Sequence, residues 1–90
     1  MNTIKEYRIQ GETVLLIRDW LSIGKTLRDL RLEKNLTQTK AARLFGMTQA
    51  TLNHFENGLS FPSVPRFMQM AKVLGFTRIV IEIPSEAKDE

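Results

Sequence analysis

The pair Thr-Gln occurs twice in one short stretch, TQTKAARLFGMTQATLNHFENG, as Thr37-Gln38 and Thr48-Gln49, eleven residues apart. Threonine is a good N-cap, because its hydroxyl accepts a hydrogen bond from a backbone N–H that the first helical turn leaves without a partner. Each pair therefore opens a helix, one over about residues 38–44 and one over 49–56. Gly46 breaks the first, and Asn57-Gly58 stops the second. Neither threonine has Glu or Gln three residues on, so each caps without the reciprocal side-chain bond. The interval holds roughly two helical turns and a tight corner, which is helix-turn-helix geometry. Both N-termini carry partial positive charge and unpaired N–H groups. One suits a phosphate, and the other can enter a major groove with Gln49 near base edges.

The flanking segments supply a frame. Ile4–Ile9 and Thr13–Arg18 are β-favouring runs around Gln10-Gly11-Glu12, which predicts a hairpin turning at Gly11. A helix from Glu12 onward competes with this. The short, continuous, bounded run Val14-Leu15-Leu16-Ile17 favours the strand. Asp19 is placed to cap a first helix with Ile23, Leu27 and Leu30 on one apolar stripe. That helix ends near Lys34-Asn35, where Asn can take a left-handed cap. After the loop LSFP, Ser63 caps a fourth helix with Val64, Phe67, Ala71 and Leu74 on one face and Pro65 in its first turn, and Gly75 ends it. FTRIVIEI then alternates, Ile79, Ile81 and Ile83 against Arg78, Val80 and Glu82, as a half-buried strand does. Pro84 stops it, and residues 85–90 are expected to be a disordered tail.

Ninety residues make one small domain, for which oligomerisation is a route to more buried surface. The expected division is a strand-like extension over 1–18, a helix-turn-helix domain over 19–75, a dimerisation strand over 76–84 and the tail. The chain has no cysteine and one histidine, so no disulfide framework or metal centre is expected, and no cofactor. No nucleophile–base pair or phosphate-cradling loop appears, so no catalytic residues and no enzyme are expected. Polar residues interrupt every apolar run, so the chain reads as cytoplasmic, without a membrane partner, and near the nucleoid when bound to DNA. The net charge of +3 is uneven. Residues 85–90 carry three acids and one lysine, leaving twelve Lys and Arg against seven Asp and Glu, or +5, in the rest. That balance suits a polyanion, although many basic domains bind none.

Residues 24–75, through GKTLRDLRLEKNLTQ, AARLFGMTQATLNHFENG and PSVPRFMQMAKVLG, resemble the Cro/C1-type (XRE) helix-turn-helix family. The resemblance implies a mainly α, lambda-repressor-like domain that binds double-stranded DNA. It implies that Gln38 contacts phosphate and that Gln49, Ala50, Asn53 and His54 form the outward face of the recognition helix, behind the capping Thr48. In the loop without basic residues, Asn57, Ser60 or backbone N–H groups would take any phosphate. Leu52 and Phe55 would face the core, and Glu56 would pair with Arg31. One departure is Ala41, where the family usually carries leucine; Phe45 could fill the space. Each polar residue also has a plainer reading as a solvated side chain. Lys40 and Arg43 are as well explained by a solvated face as by phosphate. Met47, Met68 and Met70 read as packing rather than a cofactor site.

A single C-terminal strand cannot satisfy its own backbone. It must pair with the N-terminal segment, with a second copy across a two-fold axis, or with both. A helix-turn-helix closed by a strand that builds an intersubunit sheet through Ile79, Ile81 and Ile83 resembles the HipB-type antitoxins. That likeness implies a homodimer on an inverted-repeat operator and a HipA-like kinase toxin as partner, the complex repressing its own operon. The alternative is a stand-alone, phage-like transcriptional repressor.

Overall fold

In the computed structural model, which describes residues 4–83 and gives the strand Ile4–Ile9 by its backbone alone, the chain opens with the hairpin. Strands β1 (Ile4–Ile9) and β2 (Glu12–Ile17) pair antiparallel from Ile4↔Ile17 to Ile9↔Glu12. The loop is the two residues Gln10 and Gly11, at φ 51° and 81°. Left-handed conformation at both positions makes the type I′ turn, whose twist matches that of the strands it joins. β2 thus starts one residue before the expected Thr13 and ends at Ile17 rather than Arg18.

Four helices follow: α1 (Ile23–Glu33), α2 (Gln38–Phe45), α3 (Gln49–Glu56) and α4 (Val64–Val73). Asp19 does not cap α1 directly. Its carboxylate accepts from Leu21 N–H at 3.0 Å and so starts a single 3-10 turn, Trp20–Ser22, ahead of α1. Asn35 takes φ 58°, the left-handed conformation expected after α1. Ser63 caps α4 by accepting from Arg66 N–H.

The last element, β3 (Arg78–Ile81), lies parallel to β2 in the register Val14↔Arg78 to Ile17↔Ile81, so the sheet order is β1-β2-β3. Thr77 N–H donates to Thr13 O at 2.9 Å, and Glu82 N–H donates to Ile17 O at 2.8 Å, bracketing the pairing. Of the pairings open to it, the strand thus takes the one with the N-terminal segment, and the helices form the crossover that a parallel pair needs. Ile79 is half-buried against the core, whereas Ile81 is 38% and Ile83 87% exposed. The apolar face expected of these three residues thus fades outward along the strand.

Leu15 and Ile17 are fully buried with Ile23, Leu27, Leu30, Leu52, Phe67 and Met70, so one core joins sheet and helices. Val14 and Leu16, on the other face of β2, are buried too. A continuous apolar strand is what burial on both faces demands. β2 is therefore part of the core rather than an appendage. Ala41 is fully buried, and Phe45 packs half-buried on the same core. Two expectations for α4 fail. Val64, at the first helical position, is 48% exposed because the helix meets the core only from Phe67 onward, with Met70 buried. Met68 is 55% exposed, since one residue past Phe67 turns about 100° off the buried stripe. The charged tail and the stop at Pro84 lie outside the described residues. No described helix is long and apolar enough to cross a membrane.

Gly24 sits inside α1, where glycine normally costs about 1 kcal/mol against alanine. The reason is a close approach between helices. A Cβ at this position would overlap the carbonyl oxygen of Phe55 and lie 3.2 Å from that of Glu56, both backbone atoms at the end of α3. Gly24→Ala should therefore lower stability by about 1–3 kcal/mol despite its better helix propensity. Urea denaturation measures this; an unchanged or raised midpoint would mean that the two helices can separate without loss.

Candidate nucleic-acid interface

The two Thr-Gln pairs build two helix starts of the same shape. Thr37 has φ −73° and ψ 162° and accepts from Lys40 N–H at 3.1 Å. Thr48 has φ −79° and ψ 158° and accepts from Thr51 N–H at 3.1 Å. Between them Gly46, at φ 72°, turns the chain, and Met47 N–H closes α2 by donating to Ala42 O at 3.0 Å. Leu52 and Phe55 face the core. On the opposite side of α3, Gln49, Ala50 and His54 are exposed, as is Asn57 beyond its end, and Asn53 is half-buried.

Behind this face lies a buried ion pair. Arg31 Nε donates to Glu56 Oε2 at 2.7 Å and its Nη2 to Glu56 Oε1 at 3.1 Å, while Nη1 donates to Leu36 O at 2.9 Å. The two side chains are 11% and 3% exposed. Two parallel bonds between a planar guanidinium and a carboxylate hold both orientation and distance. α1 is thereby tied to the end of α3 and to the loop that leads into α2.

The structure brings Gln38 into this group, a link that sequence reasoning missed. Rather than projecting freely outward, Gln38 is half-buried and its Nε2 donates to Glu56 Oε1 at 3.1 Å. Its Oε1 accepts from Gln49 Nε2 at 3.3 Å and from Asn53 Nδ2 at 3.5 Å. Thr39 also went unnoticed; its hydroxyl donates to Gln49 Oε1 at 3.2 Å. Asn57 Nδ2 donates to Asn53 Oδ1 at 3.1 Å. Chain spacing could not announce these contacts, because they depend on how closely α2 and α3 approach. Lys40 and Arg43 stand exposed on α2. Among the described residues, no buried side-chain polar atom lacks a partner, and no cluster of His, Cys, Asp and Glu is arranged to hold a metal.

Because Arg31 and Glu56 are nearly dry, removing one strands the other. Glu56→Ala should cost about 3–5 kcal/mol of stability without any DNA present. A thermal melt tests this, and an unchanged midpoint would show that water compensates the guanidinium left behind.

Residues 27–80 match the helix-turn-helix family HTH_3. The chain is 31% identical over 65 residues to the "ImmF control region 10 kDa protein" of Bacillus phage phi105, the match covering 72% of each chain. Its structure resembles that of an HTH_3 family transcriptional regulator from Vibrio cholerae, with a TM-score of 0.59 and 29% identity over 64% of this chain. The likeness spans about a third of that longer regulator, 33% of its length. The paired helix starts and the matched residues agree: the chain belongs to the HTH_3 helix-turn-helix family of transcriptional regulators, the Cro/C1-type (XRE) group.

Proposed function

We propose that this chain is a sequence-specific transcriptional repressor that binds duplex DNA as a dimer at an inverted repeat. The observation that carries the reading is the exposed side of α3, with a capped helix start at its head and a second one eleven residues earlier. The N-terminus of α3 would enter the major groove. Gln49 and Asn53 suit adenine, which offers one acceptor and one donor there; the methyl of Ala50 suits a thymine methyl, and His54 lies alongside. The N-terminus of α2, with Gln38, would sit on phosphate, and Asn57 would serve the following loop. The phage relative, described by its control region, supports a regulatory role.

The dimer reading rests on β3. Among the described residues it is an edge strand, paired on one side by β2. Unprotected edges invite pairing, and a two-fold axis beside β3 would extend the sheet through a second copy. Ile81 and Ile83 would then be covered. A second reading makes the chain the antitoxin of a HipA-like kinase toxin that represses their shared operon. Its support is the helix-turn-helix closed by a C-terminal strand, whereas the phage relative supports the stand-alone repressor. Purification from the native host with its bound proteins identified by mass separates the two.

Gln49→Ala and Asn53→Ala should each weaken operator binding by about 1–3 kcal/mol more than they weaken non-operator binding. Titrations on both DNAs check this; equal losses on the two DNAs for both variants would refute the assignment. Ile83 is too exposed to support the monomer, so Ile83→Asp should leave the melting of the monomeric chain nearly unchanged while shifting sedimentation towards a monomer. A variant that stays dimeric would place the interface elsewhere.

A further inference from the structure

The polar chain from Arg31 to the recognition helix has a direction. An ionised carboxylate only accepts hydrogen bonds. Gln38 can therefore meet Glu56 only through its NH2 group, and it does so at 3.1 Å. Its carbonyl oxygen must then face α3, where it can be met only by donors, here the NH2 groups of Gln49 and Asn53. The carbonyl oxygens of those two amides are turned elsewhere, towards the Thr39 hydroxyl and the Asn57 NH2 group. An amide has two orientations of nearly the same shape, distinguished by hydrogen bonding alone. One charge at the start of the chain thus selects the orientation of three amides in sequence.

The geometry points to Glu56 as a positioning residue for base readout: its carboxylate, acting through Gln38, sets which way Gln49 and Asn53 present donor and acceptor to DNA. This inference rests on the proposal that Gln49 and Asn53 read bases, and it deepens that proposal. Orientation matters because adenine shows an acceptor and a donor in the major groove, guanine two acceptors, and cytosine a donor. An amide held one way discriminates among them. An amide equally able to reverse accommodates several. Arg31, by gripping both carboxylate oxygens, keeps Glu56 in place for this task.

Two variants test it. Glu56→Gln is nearly isosteric, keeps an acceptor for Arg31, and allows Gln38 to reverse. Gln38→Met removes the relaying amide and leaves the Arg31–Glu56 pair intact, so it answers the same question if Glu56→Gln does not fold. The first measurement is the side-chain NH2 resonances of Gln49 and Asn53 in the DNA-free protein. The second is the ratio of operator to non-operator affinity, with its profile over operators changed one base pair at a time. Both variants are expected to shift both sets of resonances and to lower the ratio about tenfold, with the loss confined to the base pairs facing Gln49 and Asn53. A purely structural Glu56 would lower the melting temperature and leave the resonances and the base profile as they were, which would overturn the inference. If Gln49→Ala and Asn53→Ala leave the ratio unchanged, the base-reading proposal itself fails, and this inference falls with it whatever the resonances do.

Discussion

The orientation of α3 is set by the contact between α1 and the C-terminal end of α3. Gly24 lets the two backbones approach closely, with no side chain between α1 and the carbonyl groups of Phe55 and Glu56. Two turns further along α1, Arg31 grips the Glu56 side chain at 2.7 Å. A buried ion pair is a poor device for stability alone, because desolvation offsets much of the attraction. What it supplies is direction. Apolar residues such as Leu27, Leu30, Leu52 and Phe55 would pack in several neighbouring registers, whereas a bidentate pair is satisfied in one. With its far end held in this way, α3 presents its N-terminal turn to solvent.

The sheet does corresponding work at the chain's two ends. β2 is buried on both faces and paired on both edges, antiparallel to β1 and parallel to β3. Bonds between Thr13 and Thr77 join residues at opposite ends of the helical segment, contacts of long sequence separation. Trp20 stacks edge-on against Phe67, with ring centroids 5.5 Å apart, and ties the short turn before α1 to α4. The helix-turn-helix therefore stands on a frame closed by strands from both sides of the helical segment.

On the α3 face, the amides are already hydrogen-bonded to one another before any partner arrives. Such a face binds with less loss of side-chain freedom than a set of mobile glutamines would. If the face reads bases as proposed, some of those bonds are exchanged for bonds to base edges. On that reading the arrangement would trade part of the contact energy for a defined pattern of donors and acceptors, favouring selectivity over raw affinity.

The helices were legible in the sequence because their signals are local. A threonine hydroxyl reaches only its own first turn, and glycine or asparagine ends a helix through its own φ, so Thr37, Thr48, Ser63, Asn35 and Gly46 announced their elements. The period of Ile23, Leu27 and Leu30 likewise named the buried side of α1. Distances across the fold have no such signature. The roles of Gly24 and Gln38, the 3-10 turn inserted after Asp19, the exposure of Val64 and Met68, and the pairing of β3 with β2 all depend on where separate elements come to rest. The alternation of Ile79, Ile81 and Ile83 determined that a strand would form, because period two follows from the pleat itself. Which edge it joined, and how far along it the core reached, was decided only by packing, because any exposed backbone edge satisfies an extended chain equally well and only the buried neighbours of Leu15 and Ile17 distinguish one edge from another.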